Sequence, residues 1–346
     1  MRAVVLAPVP ESTPVAVVVI LLATGVIWIG SGWLESAAER LAAYYGLPAV
    51  VQGSVVVAVG SSFPELASVV VTALAGSFSM GVGAIVGSAV FNVLVIPGLS
   101  GVVSKAGVGA DRAIVYKEAQ FYMIAVSALV ITFALAVIYF PTGGEGLNGR
   151  ITRPLALIPL VLYGLYLFIQ WQDVSDYDSE TPVGGTGVGR TWGVLALGLG
   201  AILVGVEFLV ASVGTLNAAF GIPEFLAGVT IIAAATSLPD ALVSIRAARD
   251  GRGLTSLGNV LGSNTFDLLV AIPVGVMIFG SATVSFAVAA PMFGVLTAAT
   301  VLLFTLLRTD LTLTAPESYV LLVAYGVFVV WVVAETLGLS SLIVGV

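Results

Sequence analysis

Two stretches of this chain, Ala58-Val59-Gly60-Ser61-Ser62-Phe63-Pro64-Glu65 and Ala233-Ala234-Ala235-Thr236-Ser237-Leu238-Pro239-Asp240, insert the same device into otherwise apolar runs: polar residues, a proline, then an acid. The second lies 175 positions after the first. The same shift carries Gly46 and Pro48 onto Gly221 and Pro223, and Gly87-Ser88-Ala89-Val90-Phe91-Asn92 onto Gly262-Ser263-Asn264-Thr265-Phe266-Asp267. One ungapped offset over about fifty residues marks an internal duplication. The fold must therefore accommodate two copies of a broken helix. Pro239 offers no N–H to the carbonyl of Ala235, so a backbone oxygen is freed beside Asp240. Thr236 and Ser237 stand four and three residues before Asp240, which on a helix puts all three side-chain oxygens on one face. Hard oxygen donors of this kind suit a hard cation such as calcium or sodium.

The solvent for such a chain is lipid: 59% of its residues are hydrophobic and 9% charged, with a mean hydropathy of +1.14. It contains no cysteine and no histidine, which excludes thiol chemistry, disulfides, imidazole proton relays and the usual zinc sites. No basic patch with interleaved aromatics suggests nucleic acid. An intramembrane protease would need a Gly-x-Gly-Asp aspartate or a Ser/His dyad, and the sequence has neither. The expectation is a protein without enzymatic turnover and without an organic cofactor.

Runs long enough to span a bilayer fall at 15–34, 49–76, 80–104, 118–140, 152–171, 191–217, 223–246, 254–280, 284–307 and 317–344. The run from Val15 reads as a first transmembrane helix rather than a signal peptide, since it is long and lacks a basic leader and a small-residue cleavage site. The predicted fold is an all-α integral membrane protein of ten transmembrane helices, five in each of two repeats (1–171 and 191–346), with an inter-repeat loop at 172–190. An odd number of spans per repeat inverts the second copy and brings the broken helices together near the midplane. With both termini on one face, Arg40, Lys105, Arg112, Lys117, Arg190, Arg246, Arg249, Arg252 and Arg308 share the other, against Arg2, Arg150 and Arg153. The positive-inside rule then makes the termini extracellular. The loop acids Asp173, Asp176, Asp178 and Glu180 lack the central glycine and distal glutamate of a calcium loop and read as a solvated linker. One chain holding both copies is expected to act as a monomer in the plasma membrane.

An ionisable side chain at mid-bilayer costs about 2.5–3.5 kcal/mol, and Glu65, Asp240 and Asp267 together cost on the order of 8–10 kcal/mol if unpaired. No lysine or arginine lies at their depth in sequence. Water, a proton or a bound cation must offset that cost, and inversion sets Glu65 against Asp240, where two carboxylates repel unless a cation or proton intervenes. Calcium needs six to eight ligands, of which two carboxylates supply at most four, so hydroxyls of Ser62 and Ser237 and freed carbonyls are the natural remainder. Ser88 with Asn92, and Ser263 with Asp267, are spaced four apart and each pair can wall the same cavity. Glu207 has Gly32 as its repeat partner and reads as a water-facing or packing residue, while Gly87 and Gly262 read as sites of close helix contact.

The motifs Gly-Ser-Ser-Phe-Pro-Glu (60–65), Val-Gly-Ser-Ala-Val-Phe-Asn (86–92), Ala-Thr-Ser-Leu-Pro-Asp (235–240) and Gly-Ser-Asn-Thr-Phe-Asp (262–267) resemble the alpha-repeats of the cation/calcium exchanger superfamily. The resemblance implies a sodium/calcium antiporter, with Ca2+ and Na+ as transported substrates. Glu65 and Asp240 would clasp calcium beside the backbone carbonyls of Ser61 and Thr236. Ser62, Ser88, Ser237, Ser263 and the carbonyls of Ala58 and Ala233 would form flanking sodium sites, with Asn92 and Asp267 at the middle position. It also implies alternating access, the first and sixth helices sliding over a fixed core. Position 240 departs from the pattern: sodium/calcium members usually carry glutamate there, and the potassium-dependent branch aspartate. Coupling to K+ or H+ therefore stands as the alternative, although the Asn-Ala-x-Glu type motif of the proton-coupled branch is absent. A passive cation channel is the remaining reading, against which the internal inverted pair argues.

Overall fold

The computed structural model describes residues 10, 12–46, 58–104, 106–143, 147–174, 187–340 and 343. In chain order the helices are α1 (Thr13–Tyr44), α2 (Ala58–Ser61), α3 (Phe63–Ala75), α4 (Phe78–Val103), α5 (Ala119–Tyr139), α6 (Arg153–Val174), α7 (Val188–Phe220), α8 (Glu224–Ala227), α9 (Ala233–Thr236), α10 (Leu238–Arg249), α11 (Gly253–Phe266), α12 (Ile272–Phe279), α13 (Phe286–Asp310) and α14 (Ala315–Thr336). Four short strands lie between them: β1 (Val108–Gly109), β2 (Asn148–Thr152), β3 (Ser281–Ser285) and β4 (Thr312–Leu313). Among the described residues eight helices are long and apolar enough to cross a membrane, and nine when α8 to α10 count as one bent span. The predicted second span, 49–76, is described only from Ala58 onward. Its first part lies outside the described residues, as do Pro48 and residues 175–186 of the predicted loop.

Two helix ends differ from expectation. α1 continues ten residues past position 34, because Glu35-Ser36-Ala37-Ala38-Glu39-Arg40-Leu41-Ala42 is a helix-favouring stretch that buries Leu34, Ala37, Leu41 and Ala42 on one side. It stops at Gly46, whose φ of 67° is left-handed. α14 ends at Thr336 rather than 344, since the chain turns at Gly338 with φ 68°.

The two proline devices break the helices where the sequence predicts. Pro64 and Pro239 fall in the opening positions of α3 and α10, where a missing N–H leaves no bond unmade. Glu65 and Asp240 consequently sit in the first turns of new helices, whose N-terminal dipoles favour negative charge. The axis bends by 48° between Glu224–Thr236 and Leu238–Arg249.

α4 and α11 run through the middle of the protein, buried over most of their length, whereas α1, α6, α7 and α14 turn long apolar faces outward, as helices in lipid do. α1 packs chiefly against α7. Their backbones meet at Gly30 and Gly198: a Cβ added at Gly198 would lie 2.8 Å from the Gly30 carbonyl oxygen. Gly87 lets α4 approach the segment before α9 as expected, since a Cβ there would fall 2.1 Å from the carbonyl oxygen of Val229.

Two ribbons tie one half of the chain to the other. β1 pairs antiparallel with β4, and β2 with β3 in the register Asn148↔Ser285 to Thr152↔Ser281. α5 leads from the β1–β4 ribbon to the β2–β3 ribbon and α13 leads back, so these two helices point in opposite directions. Arg112 and Arg308 lie at the β1–β4 end, and so does the start of α11, because Gly253 abuts the backbone of Gly109. Arg150 and Arg153 lie at the other end.

The copies also differ in length by one residue. Nine positions separate Ser88 from Pro97, and ten separate Ser263 from Pro273. α4 is regular through this region, while the second copy widens into a π turn at Asp267–Ala271, which absorbs the extra residue.

Candidate functional site

Four helices carry the predicted side chains to one place. Glu65 opens α3, Asp240 opens α10, Ser88 and Asn92 face inward from the middle of α4, and Ser263 and Asn264 do so from α11, with Asp267 beginning the π turn. All are buried, Glu65 at 1% exposure and Asp240 and Asp267 at 0%. The hydroxyls of Ser88 and Ser237 are 2.6 Å apart, and each donates towards Glu65 Oε1, at 3.3 and 3.4 Å. Ser61 and Ser263 meet at 3.1 Å and turn to Asp240, which also accepts from Asn92 Nδ2 at 3.5 Å.

Each acid draws hydroxyls from both copies. Ser88 of its own copy and Ser237 of the other attend Glu65, while Ser263 of its own copy and Ser61 of the other attend Asp240.

Several oxygens in this cluster have no hydrogen-bond partner although they are shut off from solvent: Glu65 Oε2, Asp240 Oδ1, both carboxylate oxygens of Asp267, Asn92 Oδ1 and Ser62 Oγ. Buried polar atoms are nearly always paired, because leaving one unpaired costs about 1–3 kcal/mol. Unpaired acceptors gathered around carboxylates in a low-dielectric interior fit a cation that no side chain supplies. Among the described residues no three acidic side chains converge closely enough to hold a metal by themselves. A cation here would take two carboxylates at most, with hydroxyl, amide and carbonyl oxygens completing its shell.

Some predicted ligands are already engaged. The Ala233 carbonyl accepts the N–H of Ser237 at 3.0 Å and faces the Thr236 hydroxyl at 3.4 Å, and that hydroxyl also lies 3.1 Å from the Ile232 carbonyl. Ala58 begins α2. Glu207 lies on α7, outside this cluster.

Other polar residues of the site escape a reading by motif. Asn264 bridges the halves, accepting from Asn92 Nδ2 at 3.0 Å and donating to the Ala89 carbonyl and to Tyr122 Oη, each at 3.1 Å. Ala89 is its own repeat partner. A signal was present: an amide inside a membrane helix needs partners, and so does a tyrosine hydroxyl in the apolar α5. Glu35 on α1 packs against Gly60 of α2, within electrostatic reach of Asp240, and its Oε1 is buried without a partner. Its repeat partner is Val210, so the duplication gives no hint of it.

Comparison with known proteins agrees with this arrangement. The membrane protein MJ0091 of Methanocaldococcus jannaschii is 28% identical over 258 residues, covering 74% of this chain and 79% of its own. Sodium/calcium exchanger MaX1 of Methanosarcina acetivorans is 24% identical over 286 residues, covering 72% and 80%. Human sodium/potassium/calcium exchanger 4 is 46% identical over 54 residues, which is 16% of this chain and 9% of that protein. In structure, the sodium-calcium exchanger NCX_Mj superposes with a TM-score of 0.63 over 92% of this chain and 99% of its own, at 24% identity, and so shares the fold. The profile of the sodium/calcium exchanger protein family matches residues 15–172 and 190–334, covering both copies of the duplicated device and nearly all of the helices between and around them. The chain belongs to the sodium/calcium exchanger protein family, whose members are membrane exchangers and not enzymes.

Proposed function

We propose that this protein is a sodium/calcium antiporter of the plasma membrane that exchanges sodium for calcium by alternating access. The observation that carries this reading is the set of buried, partnerless oxygens on Glu65, Asp240, Asp267, Asn92 and Ser62 where the two helix breaks meet. In this proposal Glu65 and Asp240 hold calcium, beside the carbonyls of Ser61 and Thr236. Sodium ions occupy flanking positions built from Ser62, Ser88, Ser237, Ser263 and the Ala58 and Ala233 carbonyls, with Asn92 and Asp267 at the middle. The two cargo states differ in how positive charge is spread: one divalent ion between the facing carboxylates, or several monovalent ions shared among hydroxyls and carboxylates.

The same proposal takes the chain as ten spans in two inverted halves, 1–171 and 191–346, joined by 172–190, with extracellular termini and action as a monomer. The opposite directions of α5 and α13 and the gathering of Arg112, Arg249, Arg252 and Arg308 at one end support it. α1 and α7 are the natural moving pair, since apart from Glu35 much of their packing on the core is apolar, in a cluster that holds Ile27, Ile202 and Val206 with Ala67 and Ala235, and imposes little direction on sliding.

Potassium dependence is the second reading. Asp240 favours it, and the 54-residue match to the human sodium/potassium/calcium exchanger supports it. The deciding experiment is labelled-calcium uptake into liposomes holding the purified protein, driven in turn by sodium, potassium and proton gradients. Uptake under a sodium gradient alone is expected. Uptake that follows the proton gradient and ignores sodium would overturn the proposal.

A further inference from the structure

The duplication allows the two acidic positions to be compared environment by environment, and they differ in a coordinated way. Asn259 and Ser263 on α11 and Asp267 at the start of the π turn are spaced four apart, as are Asp240 and Ser244 on α10, so the two helices present facing polar stripes. Asn259 Nδ2 donates to Ser244 Oγ at 3.1 Å, and the same amide turns to the Asp240 carboxylate. Asn259 is 8% exposed and Ser244 0%, and Asn259 Oδ1 has no partner. The 175-residue shift maps Asp240 onto Glu65, Ser244 onto Val69 and Asn259 onto Ala84. The long acid therefore has an apolar backing and the short acid a polar one. Ala84 is buried, and its backbone nitrogen would lie 2.9 Å from a Cβ added at Gly228, so the two segments pack closely there.

We propose that Asn259 is a specificity-determining residue of the Asp240 half of the site: with Ser244 it holds the shorter carboxylate from behind and adds an amide oxygen that the Glu65 half lacks. This rests on the exchanger reading for the identity of the cation. A carboxylate one methylene shorter reaches about 1.5 Å less far into the cavity. Asn92 Nδ2 reaches Asp240 Oδ2 at 3.5 Å and the Asn259 amide, tied to Ser244, stands behind the same carboxylate, which leaves Asp240 Oδ1, without a hydrogen-bond partner, as the atom presented to the ion. The two acids would thus offer unlike coordination to one cation, Glu65 by its own length and Asp240 through a fixed rotamer with an added neutral oxygen.

The test is a double-mutant cycle on purified, detergent-solubilised protein, with calcium and strontium binding measured by titration calorimetry. Asn259→Ala should weaken calcium binding about 10-fold, the loss of one hydrogen bond to a charged group, and should change the calcium-to-strontium ratio. Asp240→Glu alone should weaken binding by a similar factor, because the longer acid meets the amide. Asp240→Glu with Asn259→Ala rebuilds the Glu/Ala pair of the first half and should recover to within about threefold of the wild type. Asn259→Ser, too short to reach Asp240, should match the alanine variant in its ion ratio and serves if alanine does not fold. An unchanged ratio in both Asn259 variants, or a double mutant no better than Asp240→Glu, would overturn the assignment. Binding needs no transport, so wild-type protein that binds calcium without exchanging it for sodium counts against the exchanger reading and not against this one.

Discussion

Replacing Gly87 by alanine adds one methyl group at a close helix contact next to Ser88. The new Cβ would sit 2.1 Å from the carbonyl oxygen of Val229, 2.6 Å from its Cα and 2.7 Å from its carbonyl carbon. All three are backbone atoms, so no side chain can swing aside. Ordinary contact begins near 3.4 Å, and the two segments must part by about 1.3 Å, which as overpacking costs about 1–3 kcal/mol. Ser88, the next residue, hydrogen-bonds Ser237 and Glu65 across the same seam, so a displacement of that size breaks a 2.6 Å contact inside the cluster. We expect Gly87→Ala to lower the thermal midpoint of the detergent-solubilised protein and to cut sodium-driven calcium flux by more than about 10-fold, a misplacement of that size being enough to disrupt a positioned site. Gly214→Ala on α7 is the matched control. Its Cβ meets nothing within 4 Å, so the same chemical change should leave flux unaltered and stabilise the helix by about 0.5–1 kcal/mol. Equal behaviour of the two variants would refute the view that the α4 contact, rather than alanine in a membrane helix as such, sets the outcome.

Glu65→Gln and Asp240→Asn remove charge with little change in volume, and each should abolish sodium-driven calcium uptake while leaving a monodisperse protein; near-normal flux in either would remove that residue from the site. For Asp267→Asn we expect exchange to persist, as it should if the wild-type aspartate is protonated throughout the cycle. A wild-type requirement for potassium that vanishes in this variant would instead mark Asp267 as a potassium ligand. Cysteines placed at Arg112 and Arg249 should both label from the cytoplasmic side and one at Gly143 from the outside, a pattern that opposite labelling of 112 and 249 would contradict.

Much of the site was legible because breaking a membrane helix with proline and then an acid is costly, and doing so twice in register leaves few structural alternatives. Glu65, Asp240, Ser88 and Ser263 are expected together on that ground, and the structure gathers them with hydroxyls of both copies at each acid. What escaped has no like residue at its repeat counterpart. Glu35 has Val210 as its counterpart, so only its burial on an extended α1 reveals it. Asn264 stands inside a motif but has Ala89 as its counterpart, and one of its three bonds goes to Tyr122, on a helix that carries no motif. The β1–β4 and β2–β3 ribbons join segments more than a hundred residues apart with strands of two to five residues. Strands so short carry no alternation to read. The far end of α1 fell outside the predicted span because 15–34 counts only the apolar run, whereas the helix continues past it into Glu35–Tyr44.

The widened turn at Asp267–Ala271 is a phase correction. In an α-helix each residue advances the side chains by about 100°, so one extra residue would rotate everything after it by that angle relative to the first copy. Gly275 on α12 would then no longer face Val69 and Phe78, where it now sits so close that a Cβ would come within 2.5 Å of Val69. The wider turn takes up the surplus before α12 begins, and the sequence match resumes, one residue later, at Ile272-Pro273, the counterpart of Ile96-Pro97. The turn offsets in angle what the second copy adds in residue count. A chimera that grafts the first copy onto the second position by position would lose that compensation just beyond the residue that most distinguishes the two halves, and it would have to keep the additional residue to keep the fold.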